Sequence, residues 1–269
     1  MSSIGDRQPA VGQPPPPIGD QYWQRSAEPL QALIFLVPLI LFYELGLALL
    51  GSRKMQLFLQ MNQPIGDIKA RRMLFDLFES MGISGYYLPG LAVVVVLLCR
   101  HLVRRDPWAW RPGIYPFMWI ESLGLALPLF VFGMVVSKLS MQLGAGAEPF
   151  GSSGFGPAVV LSIGAGIYEE LLFRLIGLAV VHLILVDWLK WPEKWGAVTA
   201  ITITAVLFAL YHFSSDNPFT WGKFTFYTAA GLYFAAVYLV RGFGIVAWTH
   251  ALYDVLVVVL QMQYRFDQG

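Results

Sequence analysis

The chain has 269 residues, of which 57% are hydrophobic and 13% are charged, and its mean hydropathy is +0.59. This composition excludes an ordinary soluble domain and is typical of a protein that lies largely within a lipid bilayer. A formal net charge of only +1 argues against the basic face that nucleic acid requires, so we expect no nucleic-acid partner. The single cysteine, Cys99, excludes a disulfide within the chain and a cluster of thiolate metal ligands.

The first 29 residues predict a disordered tail. Residues 1–29 contain the sequence QPPPP at 13–17 and no apolar core of their own, which is typical of extended, Pro-rich segments. The first apolar run begins far from Met1 and is longer than that of a cleavable signal peptide, so we expect it to remain as a helix. Residues 30–269 are predicted to form one membrane domain with no separate soluble part.

Apolar runs long enough to cross a bilayer recur along the rest of the chain. A crossing helix needs about 20 residues, because unpaired backbone groups are not tolerated in hydrocarbon. We therefore predict an all-α fold, a polytopic membrane helix bundle with about seven transmembrane helices, or eight if one shorter segment also crosses. Such a protein is integral to the membrane and multi-pass, and the cell membrane is its expected location. The seven runs are 30–50, 85–103, 115–137, 157–186, 197–213, 224–240 and 245–262.

Two connections between these runs carry signals of their own. In residues 51–84, five basic residues are separated by apolar ones at roughly helical spacing, which predicts an amphipathic helix at the membrane surface. Residues 144–156 are rich in glycine and predict a flexible connection.

Several ionisable side chains lie inside the apolar runs. An ionised side chain at mid-bilayer costs at least about 2.5 to 3.5 kcal/mol, so each of them is a functional candidate by default. We expect Glu44 and Glu121 to pair with polar groups on neighbouring helices or to line a cavity, and His182 to face away from the other candidates. The full set is Glu44, Glu121, Glu169, Glu170, Arg174, His182, His212, His250 and Asp254.

The two adjacent carboxylates, Glu169 and Glu170, are expected to have different tasks. Neighbouring residues of a helix point about 100° apart. Glu170 and Arg174 are spaced i, i+4 and can pair on one face of the helix. Glu169 has no cation one turn away, but the small residues at 164–166 would let a second helix approach closely and bring it a partner.

Histidines of two later runs are the candidate partners. Counting along the helices at about 1.5 Å per residue puts His212 at a depth similar to that of Glu169. His250 and Asp254 are spaced i, i+4 and share one face of the last helix. The same count puts both of them closer to the membrane surface than Glu169.

These residues form three short motifs in a fixed order, each in its own apolar run. The motifs are Glu169-Glu170-x-x-x-Arg174, Phe208-x-x-x-His212 and His250-x-x-x-Asp254. Their order and spacing resemble those of the CPBP family, the CAAX prenyl endopeptidase and bacteriocin-processing intramembrane proteases. The resemblance covers about the last 110 residues, with the catalytic region at about 157–262.

The resemblance implies an intramembrane endopeptidase and assigns roles to the motif residues. Glu169 would act as general base on a water that His212 also holds, and His250 with Asp254 would polarise the scissile carbonyl. Glu170 and Arg174 would support the structure or help to position the substrate. Asp254 departs from the pattern of the better-studied eukaryotic members, which carry asparagine there. An asparagine amide can donate a hydrogen bond to an oxyanion, whereas an ionised carboxylate can only accept one.

Three other interpretations remain open from the sequence. Two histidines and a glutamate form a ligand set that zinc accepts, although the HExxH spacing of zincins is absent, so no cofactor is expected but zinc is the alternative. A non-catalytic scaffold or immunity protein could share the same fold. A transporter or channel is disfavoured because no repeated halves are evident. The expected partners are a membrane-associated protein or peptide substrate and the lipid bilayer, and the sequence indicates no oligomeric state.

Overall fold

Nine helices and no strand make up the part of the chain that the structure describes, which confirms the predicted all-α fold. The structure is a computed structural model, and it describes residues 18–52, 68–83, 85, 87–142, 154–215 and 217–268. The helices are α1 Ile18–Ser26, α2 Pro29–Leu50, α3 Lys69–Ser80, α4 Leu88–Arg104, α5 Tyr115–Gln142, α6 Phe155–Trp188, α7 Glu193–Tyr211, α8 Trp221–Arg241 and α9 Phe243–Gln268.

Six of these helices are long and apolar enough to cross a membrane: α2, α5, α6, α7, α8 and α9. The protein is therefore an integral, multi-pass membrane protein, as predicted. The second predicted run also forms a helix, α4, with 17 residues. At 1.5 Å per residue such a helix is about 25 Å long, slightly short of a hydrocarbon core of about 30 Å.

The predicted tail ends in a short helix. Residues 1–17 lie outside the described residues, and α1 begins at Ile18. Arg241, at the end of α8, donates hydrogen bonds to the Ser26 hydroxyl at 2.8 Å and to the Trp23 carbonyl at 3.3 Å. Its guanidinium also lies 3.8 Å from the centre of the Trp23 ring, so α1 is attached to the bundle by contacts distant in sequence.

The two predicted connections differ in how much of them the structure describes. A helix, α3, occupies Lys69–Ser80, where the amphipathic helix was predicted. It buries Ala70, Arg71 and Leu74 against the bundle and exposes the apolar side chains of Met73 and Leu77. Most of the glycine-rich connection at 144–156 lies outside the described residues.

The last helix, α9, lies at the centre of the bundle and packs against α2, α5, α6 and α8. Its contact with α6 depends on Gly166, where a Cβ atom would lie 2.6 Å from the carbonyl oxygen of Ala247 and from the amide nitrogen of Ala251. On the other side of α6, a Cβ atom at Gly164 would lie 2.1 Å from the ring of Tyr43 in α2. The prediction that small residues at 164–166 admit a neighbouring helix is confirmed, and that neighbour is the helix that carries His250.

Two segments of α6 are wound as π-helix, Leu171–Gly177 and Leu183–Trp188. Such turns occur frequently at functional sites. The first begins directly after Glu170 and contains Arg174.

Candidate active site

The structure brings the four predicted catalytic residues together in one cluster, in which Glu169 faces His212 and His250 and Asp254 faces His250. Oε2 of Glu169 in α6 lies 3.7 Å from Nε2 of His212, at the end of α7, and 4.0 Å from Nε2 of His250 in α9. Oδ2 of Asp254 lies 3.6 Å from the same nitrogen of His250. Glu169, His250 and Asp254, on α6 and α9, are buried, and His212 at the end of α7 is partly exposed. The catalytic roles of these residues stay predictions.

The depth predicted for His250 is wrong. Counting residues placed it nearer to the membrane surface than Glu169, yet the two side chains are within 4.0 Å. The count assumed that the runs begin and end at one level. Because α6 continues to Trp188 and includes two π segments, its end is a poor reference for depth.

The imidazole of His212 is held with Nε2 towards Glu169. Its Nδ1 donates a hydrogen bond of 2.8 Å to the carbonyl oxygen of Phe208, one turn earlier in α7. A carbonyl can only accept, so Nδ1 carries the proton and Nε2 of the neutral ring is an acceptor. Tyr227 in α8 stacks on the ring, with centroids 4.3 Å apart and planes inclined by 20°.

The segment after His212 fixes the backbone at this point. Asn217 donates a hydrogen bond of 2.8 Å from Nδ2 to the carbonyl oxygen of His212. The amide oxygen of Asn217 in turn accepts a hydrogen bond of 2.7 Å from Nζ of Lys223. These side chains satisfy a carbonyl that a helix end leaves without an intrahelical partner.

The second carboxylate, Glu170, joins His250 to Arg174. Nδ1 of His250 donates a hydrogen bond of 2.7 Å to Oε1 of Glu170, and Nε of Arg174 lies 3.2 Å from Oε2. The predicted i, i+4 pair of Glu170 and Arg174 is confirmed, and Glu170 also accepts the hydrogen bond from the His250 ring. The supporting role of the pair stays a prediction. Arg174 also donates a hydrogen bond of 3.2 Å to the carbonyl oxygen of Gly231 in α8.

Aromatic rings surround the charged groups. Phe234 in α8 stacks on the imidazole of His250, with centroids 4.4 Å apart and planes inclined by 18°. The guanidinium of Arg174 lies 4.3 Å from the ring centre of Phe208 and 5.6 Å from that of Phe234. Charges enclosed by such rings interact more strongly than charges in water, because the local dielectric constant is lower.

Sequence reasoning missed the contribution of α8. Tyr227 and Phe234 are seven residues apart, close to two helical turns, and therefore share a face of α8. That spacing was a usable signal, but uncharged aromatic residues are common in membrane helices and do not stand out. Asn217 lies in a connection and carried no signal beyond its closeness to His212.

The remaining ionisable candidates have partners elsewhere. Nη2 of Arg71 and the hydroxyl of Tyr168 both contact Glu44, at 3.3 and 2.7 Å. Glu121 accepts hydrogen bonds from Arg241. Nε2 of His182 lies 2.9 Å from Oε1 of Glu193, in an exposed position. The predicted pairing of Glu44 and Glu121 with neighbouring helices is confirmed.

Two features of the cluster bear on its chemistry. Oε2 of Glu169 is buried and has no hydrogen-bond partner among the residues that the structure describes. An unpaired buried acceptor costs about 1 to 3 kcal/mol, so such an atom calls for a functional explanation. Within the same described part of the chain, no three His, Cys, Asp or Glu side chains are placed so that they could hold a metal ion. The zinc alternative stays a prediction that metal analysis can test.

Comparison with known families identifies the region that carries this cluster. Residues 152–256 match the family model described as type II CAAX prenyl endopeptidase Rce1-like, which is the CPBP family that the motifs resemble. The matched segment includes Glu169, Glu170, Arg174, His212, His250 and Asp254. Comparisons with curated proteins and with solved structures found no match. The family indicates a CAAX-type protease, and hence a hydrolase with a membrane-associated protein substrate.

Proposed function

Because the chain carries a type II CAAX prenyl endopeptidase Rce1-like domain at residues 152–256, we propose that it hydrolyses a peptide bond of a membrane-associated protein or peptide. The attacking group is a water activated by Glu169. The observation that carries this proposal is the position of Glu169, whose unpaired oxygen faces two imidazole nitrogens at 3.7 and 4.0 Å. These separations exceed those of direct hydrogen bonds and are of the size that a bridging water spans.

Water activation uses the carboxylate of Glu169 and the acceptor nitrogen of His212. A water between them donates one hydrogen bond to Oε2 of Glu169 and one to Nε2 of His212, whose proton resides on Nδ1. As the water oxygen attacks the scissile carbonyl carbon, Glu169 takes a proton from it. Glu169 then gives this proton to the leaving amine when the carbon–nitrogen bond breaks, so the carboxylate is regenerated.

The tetrahedral oxyanion is stabilised by His250. Glu170 accepts a hydrogen bond from Nδ1 of His250, while the carboxylates of Asp254 and Glu169 face Nε2. Both nitrogens of the His250 ring therefore have a carboxylate neighbour. Because Nδ1 already donates to Glu170, His250 uses a second proton, on Nε2, to donate to the developing oxyanion. Arg174 holds Glu170 in place through its contact of 3.2 Å. In this scheme the glutamate, not a metal ion, activates the water.

The non-catalytic alternative predicts a different outcome for the same protein. A scaffold or immunity protein would bind a peptide and leave it intact, and it would have no need of a carboxylate and two imidazoles that face one another within the bundle. At Glu169 the carboxylate oxygen instead faces the acceptor nitrogen of His212 at a separation that a shared water can bridge. The arrangement around Glu169 therefore favours catalysis.

The test compares the purified wild-type protein with Glu169→Gln in proteoliposomes. One substrate is a fluorogenic farnesylated peptide with a CAAX end. The other measurement compares the membrane peptides of cells that carry the wild type with those of cells that carry Glu169→Gln. Removing a general base lowers the rate by about 100-fold or more, so Glu169→Gln should abolish detectable cleavage. Glu193→Gln is the matched control, because Glu193 is exposed and pairs with His182 far from the cluster. If no substrate distinguishes the wild type from Glu169→Gln, the proposal is wrong.

A further inference from the structure

The helix α3 is linked to residues on both sides of the catalytic cluster, although residues 69–80 lie outside the segment that matches the family. It approaches the end of α7 beside His212, and it connects through Glu44 to the residue before Glu169. The amphipathic pattern of this segment suggested contact with the membrane surface and nothing more.

Lys69 binds the backbone that carries His212. Its Nζ donates hydrogen bonds to the carbonyl oxygens of Tyr211 at 3.1 Å and Phe213 at 3.2 Å, the residues on either side of His212. The last carbonyls of a helix have no intrahelical partner, and a cation there is favourable because the helix dipole is negative at this end. The amide of Ala70 adds a hydrogen bond of 2.8 Å to the hydroxyl of Tyr211. The first two residues of α3 thus make three hydrogen bonds to the end of α7.

Arg71 is linked to the other side of the cluster. Its Nη2 lies 3.3 Å from Oε2 of Glu44, and Oε1 of Glu44 accepts a hydrogen bond of 2.7 Å from the hydroxyl of Tyr168. Tyr168 directly precedes Glu169 in α6. Tyr168 is completely buried and Arg71 is 2% exposed, and Glu44 between them is partly exposed, so both contacts are partly shielded from water.

We propose that Lys69 and Arg71 are positioning residues, through which α3 sets the separation between Glu169 and His212. The two residues belong to the same turn of one helix, so the links to α6 and α7 share a rigid support. This proposal rests on the proposed function. A shared water needs both groups in place, and a displacement of 1 Å can lower a rate by about 100-fold.

The experiment compares Lys69→Met with Lys69→Arg and with a control, Arg72→Met. Methionine keeps the length of the Lys69 side chain and removes its donor, whereas arginine keeps a cation of similar reach. Arg72 is adjacent in α3 and exposed, so Arg72→Met removes the same charge from the same surface. Hydrogen–deuterium exchange of the purified proteins in proteoliposomes reports the end of α7 directly. Cleavage of the farnesylated peptide reports kcat and KM.

For Lys69→Met we expect exchange at amides 208–213 to rise about tenfold while the centres of α6 and α9 exchange as in the wild type. We expect kcat to fall at least about tenfold with KM changed less than about twofold, because geometry and not binding is altered. Lys69→Arg should recover most of both changes, and Arg72→Met should show neither. Unchanged exchange at 208–213 would overturn the proposal, and so would a rise of equal size in all helices, which a purely structural role predicts.

A second variant tests the Glu169 side with the smallest change that the chain allows. Tyr168→Phe removes only the hydroxyl that donates to Glu44. It should lower kcat by about tenfold and leave exchange at 208–213 unchanged. In combination with Lys69→Met, the two losses should be non-additive, because one helix carries both links. Additive losses of kcat would refute the claim that α3 carries both links as one rigid support. If the proposed function is wrong, the wild-type protein will show no cleavage that depends on Glu169. The positioning role of α3 would then be judged from hydrogen–deuterium exchange alone.

Discussion

Replacing Glu170 by glutamine removes one negative charge from a completely buried side chain that two basic groups face. Glutamine has nearly the same shape, so the packing between α6 and α9 is preserved. Its amide oxygen can still accept from Nδ1 of His250 or from Nε of Arg174, but its amide nitrogen cannot replace the second carboxylate oxygen. The variant therefore leaves a buried guanidinium without its counter-charge and an imidazolium with a weaker acceptor.

Two free energies follow from this geometry. Removing one partner of a buried ion pair costs about 3 to 5 kcal/mol of folding free energy, because the other charge stays buried and uncompensated. A hydrogen bond to a charged group contributes about 1.5 to 3 kcal/mol, and here that hydrogen bond joins Glu170 to His250 at 2.7 Å and orients the ring. If that hydrogen bond is needed in the transition state, kcat should fall roughly 10- to 150-fold.

The double variant Glu170→Gln with Arg174→Met separates the two effects. Methionine fills the space between Phe208 and Phe234 without a charge, so the double variant should regain most of the lost stability. It should not regain kcat, because His250 still lacks its carboxylate. Thermal unfolding and cleavage rates per folded molecule, measured in the same proteoliposomes, give both quantities. A double variant with wild-type kcat would show that Glu170 acts on Arg174 alone and that the proposed role at His250 is wrong.

Three further predictions concern packing, the aspartate and metal. Gly166→Ala should lower the unfolding free energy by about 1 to 3 kcal/mol, since its Cβ would lie 2.6 Å from backbone atoms of α9, and Gly156→Ala, with nothing within 4 Å, is the control. Equal unfolding curves for the two variants would contradict this. Asp254→Asn should keep kcat within about tenfold of the wild type, because Glu170 still accepts from His250 and the new amide can itself donate to the oxyanion, whereas Asp254→Ala should lose more. An inactive Asp254→Asn would show that the carboxylate itself is required. Chelation followed by metal analysis should leave active protein without bound zinc, and activity that returns only with added zinc would favour the metal-dependent alternative.

Hydropathy was sufficient to locate the helices that cross the membrane, because a bilayer imposes a minimum length and an apolar composition on any segment that crosses it. The short helix α1 was not predicted, since it lies in the Pro-rich tail and has no apolar run. The Glu170–Arg174 pair was also readable, since an i, i+4 spacing places two side chains on one face of a helix whatever surrounds it. The order of the three motifs predicted which side chains belong together. Those properties depend on residues close in sequence or on a fixed helical repeat.

Contacts between elements distant in sequence could be identified only from the tertiary structure. Residue counting placed His250 at the wrong depth, and only the packing of α9 against Gly166 brings it to Glu169 and Glu170. The attachment of α1 through Arg241 and the links of Lys69 to the end of α7 likewise join segments more than 100 residues apart. A sequence states which groups a helix carries, but the depth, tilt and partners of that helix follow from its neighbours, because side-chain packing decides how membrane helices associate.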